Sequence, residues 1–202
     1  MKKLVLVGDS IFDNAIYVPP GQAVTQHLTR ALPRGWEVSL EAVDGAVILD
    51  VENQLAHVKD TPTCIAVIAG GNDALEASHL LSFPVTEVAS ALQVLRAAQE
   101  EFHRRYELLM TWLEGVRCPV VVCTIYNAPA FDTTKENTAA FAALSMFNDS
   151  VSRLARRHGF EVVELRDVFT EDGDFSAVSP IEPSAQGGAK LAEELVAFCE
   201  AL

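Results

Sequence analysis

Five short apolar runs rich in Val and Ile recur along the chain, separated by stretches of helical periodicity, and this alternation most restricts what the chain can fold into. The runs are expected as buried strands at residues 3–7, 37–43, 64–69, 119–125 and 161–165. Helices are expected at about residues 22–32, 46–58, 85–115, 138–158 and 184–201. A helix between two strands returns the chain to the start of the next strand, so the strands run parallel and the crossovers are right-handed. The expected product is an α/β fold of three layers, with a five-stranded parallel sheet between two layers of helix. At 202 residues, half of them hydrophobic, one domain spanning residues 1–202 can bury a substantial core.

Charge and cysteine usage narrow the partners. Fifteen basic against 28 acidic residues leave a formal charge of −13, which repels nucleic-acid backbones and anionic lipid surfaces and favours a neutral or cationic small-molecule substrate. Most of those carboxylates are expected as solvated surface. Cys64, Cys118, Cys123 and Cys199 show no CxxC spacing and fall mostly in apolar runs, as core residues of a reduced, cytoplasmic protein do. The opening "MKKLVLVGDS" is too short for a signal-peptide apolar region and reads better as a first strand. No run is long enough to span a membrane, and no motif sets an oligomeric state.

Chemistry collects where strands end. In "GDSIFDN", Gly8 to Asn14, Ser10 follows the first strand and is exposed at the carboxyl edge of the sheet, although Asp9 and Ser10 could equally cap a helix. After the second strand, "AVDGAV" offers the backbone N–H of Gly45, and after the third, "GGND" brings Asn72 and Asp73 to the same edge. An asparagine amide can donate to an oxyanion, while its commoner task is to hold a turn. Asp9, Asp73 and Tyr126, the last in "TIYNAPAF" after the fourth strand, are candidate substrate contacts.

These blocks resemble the SGNH hydrolases, also called the GDSL esterase and lipase family, over essentially the whole chain. "GDSIFDN" is similar to the first family block, Gly45 to the second, "GGND" to the third and "IEPSAQGGAKLA" to the last. The resemblance implies a flavodoxin-like strand order 2-1-3-4-5, hydrolysis of a small acyl or acetyl ester, no cofactor, and Ser10 as nucleophile. It also implies an oxyanion hole from the Ser10 and Gly45 amides and the Asn72 side chain. The last block departs from the family pattern: "SPIEP" puts Ser179 at the aspartate position and Glu182 at the histidine position. A serine needs a base to remove its proton, and a carboxylate serves only if burial raises its pKa.

Three readings follow. Glu182 acts as the base beside Ser10, or His79, on the segment leaving the third strand, completes a Ser10–His79–Glu182 arrangement. His27, His57, His103 and His158 lie in or at the ends of helices away from the strand ends. Alternatively the pocket survives as a non-catalytic ligand-binding site. An oxygen-only cation site from Asp9, Asp13, Asn72, Asp73 and Glu182 is the least favoured arrangement, and no metal is expected.

Overall fold

Burial on both faces of β1 (Lys2–Gly8) makes it the centre of the structure: Leu4 and Leu6 enter one apolar cluster and Val5 and Val7 another, on opposite faces of the sheet. The computed structural model describes residues 1–202. β1 pairs in parallel with β2 (Trp36–Leu40) and β3 (Cys64–Ile68), and the sheet continues through β4 (Val120–Cys123) and β5 (Glu161–Val163). The order is β2-β1-β3-β4-β5. Winding reverses between β1 and β3, so a crevice opens at their carboxyl ends, where open α/β sheets bind ligands.

One face of the sheet is covered by α1 (Val24–Ala31) and α7 (Ala185–Glu200), which pack on each other. The other is covered by α2 (Val51–His57), α4 (Val88–Val116) and α5 (Thr134–Arg157). Two short helices, α3 (Gly71–Glu76) and α6 (Leu165–Val168), begin almost at once after β3 and β5 and were not anticipated. No helix is long and apolar enough to cross a membrane. The four cysteines are free, and Cys64, Cys123 and Cys199 are buried.

Boundaries differ from expectation for local reasons. β2 stops at Leu40 because the Glu41 and Ala42 N–H groups both donate to the Leu6 carbonyl, which ends the regular ladder. The expected helix at 46–58 is a 3₁₀ turn, Ile48–Asp50, followed by α2. α5 starts earlier than its apolar stripe because Thr133 caps it, its hydroxyl accepting from Glu136 N and donating to the Glu136 carboxylate. Ser184 caps α7 through Gln186 N and Gly187 N.

Gly8 joins β1 to the serine turn under a tight restriction. Its φ is +130°, and a Cβ there would lie 1.6 Å from the Ile68 carbonyl oxygen. The clash is with backbone inside the sheet, so no side-chain adjustment relieves it. Gly8→Ala is expected to cost at least about 3 kcal/mol, roughly 6–12 °C in Tm for a chain of this size, measured by thermal unfolding of the two proteins.

Candidate active site

The turn after β1 carries Ser10 to the crevice. Gln54 of α2 holds this turn at its root, its carbonyl accepting from Gly8 N at 2.7 Å and its amide donating to Gly8 O at 2.8 Å. Ser10 is buried, with 6% of its surface exposed, and its hydroxyl donates to Glu182 Oε1 at 2.8 Å. The two residues are 172 positions apart in sequence. Glu182 therefore occupies the place beside the hydroxyl that its register in "SPIEP" suggested.

Glu182 is held by backbone on both sides. Phe175 and Pro183 form an antiparallel bridge, in which Ser176 N donates to Glu182 O and Ser184 N to Asp174 O, each at 2.8 Å. Asp174 is fully buried and accepts from Thr170 N, Glu171 N and Lys190 Nζ. Gly187 lets α7 approach this loop: a Cβ there would lie 2.2 Å from the Asp174 carbonyl oxygen. The carboxylate that meets Ser10 thus rides on a loop pinned to the last helix.

Burial pushes the Glu182 carboxyl up to about 7, opposed by the Ser10 hydroxyl and reinforced by the charge of Asp44. Its second oxygen, Oε2, is buried with no hydrogen-bond partner. Asp9 is also buried, which pushes its carboxyl up to about 8; the Ile11 N–H, donating to Oδ1 at 3.1 Å, opposes the shift, and Glu182 and Asp73 add to it. Two adjacent carboxyls therefore titrate near or above neutrality, and their apparent values belong to the pair.

Free N–H donors lie on the neighbouring strand ends. The Ser10 and Gly45 backbone N–H groups donate to no protein acceptor. Asn72 lines the crevice and gives one amide hydrogen to Ala46 O at 2.9 Å, which leaves its second free.

Other expected contacts are redirected. His79 does not complete a triad: it is exposed in the 3₁₀ turn Ala77–Ser82, its Nδ1 bonded to Glu76 O at 2.8 Å, while its neighbours Ser78 and Leu80 line the crevice. Asp73 is not a substrate contact, because Oδ1 pairs with Arg105 at 3.2 Å and Oδ2 accepts from Ile48 N at 2.9 Å, tying α3 to α4 and the 3₁₀ turn before α2. Tyr126 lines the crevice with its ring only; its hydroxyl donates to Ile181 O at 2.7 Å, one residue before Glu182. Asn148 of α5 is buried and bonds both the N–H and the carbonyl of Ile125. No group of three His, Cys, Asp or Glu side chains is placed to share a metal ion.

Beside Ser10 lies a cavity of about 120 Å³, 21 of whose 28 lining residues are hydrophobic, contributed by α3, α4, α5 and the loop after β4. Leu75, Leu95, Phe131, Phe141 and Phe147 form much of its wall.

A buried serine at the end of the first strand, free N–H donors at the next two strand ends and an apolar chamber beside them define a three-layer α/β protein with an acyl-transfer type of site. The chain belongs to the GDSL-like lipase/acylhydrolase family, whose sequence profile it matches over residues 6–190, and so to the hydrolases that act on esters. Its fold is similar to an extracellular lipase from Streptomyces rimosus, at 18% identity and TM-score 0.71, over 98% of this chain and 99% of that one. A phospholipase A1 from Streptomyces albidoflavus superposes with TM-score 0.73 at 18% identity, over 98% of each chain. An acetyl xylan esterase does so with TM-score 0.69 at 15% identity, over 97% of this chain and 98% of its own. No curated protein sequence matches the chain.

The raised Asp9 carboxyl ties stability to pH. From its ordinary value of 3.8 to about 8, the folded state keeps a proton that the unfolded state has lost, so the stability this confers is whole below the ordinary value and disappears as pH rises through 8. Asp9→Asn keeps the oxygen that accepts from Ile11 and removes the charge. Its Tm is expected to exceed that of the wild type by a gap that widens by roughly 8–16 °C between pH 5 and pH 9, in paired melts.

Proposed function

We propose that the protein is a serine esterase in which Ser10 is the nucleophile and Glu182 the general base. The observation that carries this reading is the 2.8 Å hydrogen bond from the Ser10 hydroxyl to a buried carboxyl raised to about 7. A base is most effective when it titrates near the working pH, and burial gives this carboxylate a value close to that of an imidazole. Ser10 Oγ attacks the ester carbonyl as its proton passes to Glu182 Oε1. The oxyanion forms against the Ser10 and Gly45 amides and the free hydrogen of Asn72. Collapse breaks the bond to the alcohol oxygen, which takes the proton back from Glu182. Water then attacks the acyl-enzyme as Glu182 receives its proton, and Ser10 is restored with release of the acid.

The cavity supports an acyl group larger than acetyl. A chamber of roughly 150 Å³ accepts a benzene-sized apolar group, so one of about 120 Å³ suits a chain of several carbons. Each methylene buried contributes about 0.8 kcal/mol, so kcat/KM on p-nitrophenyl butyrate is expected to exceed that on the acetate by about tenfold. Equal rates on the two would contradict the assignment of the cavity.

The catalytic assignment predicts that Ser10→Ala abolishes turnover and that Glu182→Gln lowers kcat/KM by about 10²–10⁴-fold. Only the ionised carboxyl accepts a proton, so wild-type kcat/KM is expected to fall as pH drops below about 7. A wild type no faster than Ser10→Ala would favour a ligand-binding protein that keeps the chamber without the chemistry.

A further inference from the structure

One wall of the chamber is a loop without regular secondary structure, residues 125–131 between β4 and α5. Ile125, Tyr126, Ala128, Ala130 and Phe131 of this loop all line the chamber. A segment whose backbone joins no ladder ordinarily yields to whatever presses on it. This one is held at both ends.

The hold is visible in the backbone hydrogen bonds of residues 125–131. Two of them stay inside the loop, Ala128 N to Tyr126 O and Ala130 N to Ala128 O. Those that leave the loop run to two side-chain amides of α5. Asn148 accepts from Ile125 N at 2.8 Å and donates to Ile125 O at 2.7 Å. Asn137 does the same for Phe131, accepting from its N–H at 3.0 Å and donating to its carbonyl at 2.7 Å. Gripping the N–H and the C=O of one residue together fixes the direction of the chain as well as its position, and so the direction in which the side chain leaves it.

Helical spacing lets one element carry both clamps. Asn137 and Asn148 are about three turns apart on one face of α5, roughly 16 Å along its axis. Phe141 and Leu144 stand between them on that face, and both line the chamber. Loop and helix therefore form the wall as a unit. Its two ends lie at different distances from the serine. Tyr126 is tied through its hydroxyl to Ile181, the neighbour of Glu182, so the Ile125 end lies by Ser10. Phe131 lies at the other end, beside the first turn of α5, where Asn137 is half-buried.

We propose that Asn137 is a positioning residue for substrate specificity: by clamping Phe131 it sets the length of acyl chain that the chamber admits. The inference rests on the esterase reading and adds to it the element that limits the chain. Asn137 acts through the Phe131 ring. A chain that fills the chamber of about 120 Å³ is accepted, whereas a longer one must push back a wall whose peptide groups are bonded on both sides.

The test measures kcat/KM on p-nitrophenyl butyrate and octanoate for the wild type, Asn137→Ala, Asn137→Asp, Phe131→Ala and the Asn137→Ala/Phe131→Ala double variant. Alanine is the best helix former and Asn137 is outside the core, so the first variant is expected to fold. Asn137→Ala should raise the octanoate-to-butyrate ratio by about tenfold, as accommodating two further methylenes would. Asn137→Asp keeps the acceptor for Phe131 N and loses the donor to Phe131 O, and its ratio should fall between those of the wild type and Asn137→Ala. Phe131→Ala should raise the ratio as well, and adding Asn137→Ala to it should change the ratio no further, because both act on one wall. A purely structural role would lower both esters alike. A ratio unchanged or lowered in Asn137→Ala, or effects that add in the double variant, would overturn the proposal and leave the esterase standing. If the wild type cleaves neither ester the esterase reading fails, and calorimetric binding of 1-octanol and 1-butanol decides instead. Asn137→Ala should then bind octanol more tightly relative to butanol than the wild type does, and an unchanged preference overturns the proposal.

Discussion

The proposed chemistry depends on a carboxyl group kept out of water next to a serine hydroxyl. In water Glu182 would be a weak base for an alcohol; behind the wall of the crevice its charge is disfavoured and its affinity for a proton rises to about 7. That gain is available only because the loop around Glu182 is fixed. An antiparallel bridge, the Asp174–Lys190 ion pair and the close approach of Gly187 to Asp174 hold it against α7. The serine is fixed from the opposite side by Gly8 and Gln54. The sheet contributes the remaining order, since the reversal of winding at β1 and β3 brings three strand ends to one crevice.

The site is arranged as two unlike halves. Towards α4 and α5 the walls are aliphatic and aromatic; towards the loops after β1 and β2 they are acidic. Asp9 sits between the halves, with a carboxyl raised to about 8 by its burial. An uncharged Asp9 spares Glu182 a second adjacent negative charge, which would otherwise drive its affinity for a proton still higher.

Much of the architecture is legible from periodicity and strand-end chemistry. The five apolar runs, the serine turn, the "GGND" turn and the Ser184 cap are local features, and each has a local signal. The adjacency of Ser10 and Glu182 is nonlocal, and it was legible only because the last block resembles a family frame in which the same position faces the serine. What was not legible depends on partners that sequence spacing does not reveal. Asp73 is taken by Arg105, 32 positions away, and Gln54 reaches Gly8 across 46. His79 turns outward because the chain after α3 tightens into a 3₁₀ turn, of three residues per turn, in which Ala77, Ser78, Leu80 and Leu81 line the crevice and His79 faces solvent. Thr133 and Glu136 did carry a readable capping signal for α5, but the apolar stripe begins later and drew the expected start with it.

The most direct test of the account is covalent. A fluorophosphonate reacts with a serine only when its hydroxyl is activated, and intact-mass and peptide analysis then identify the residue labelled. The account predicts one adduct, on Ser10, forming at a rate that rises as pH passes through about 7 and is lost in Glu182→Gln. Labelling of Ser10 that is independent of pH and survives Glu182→Gln, or no labelling at all, would contradict it.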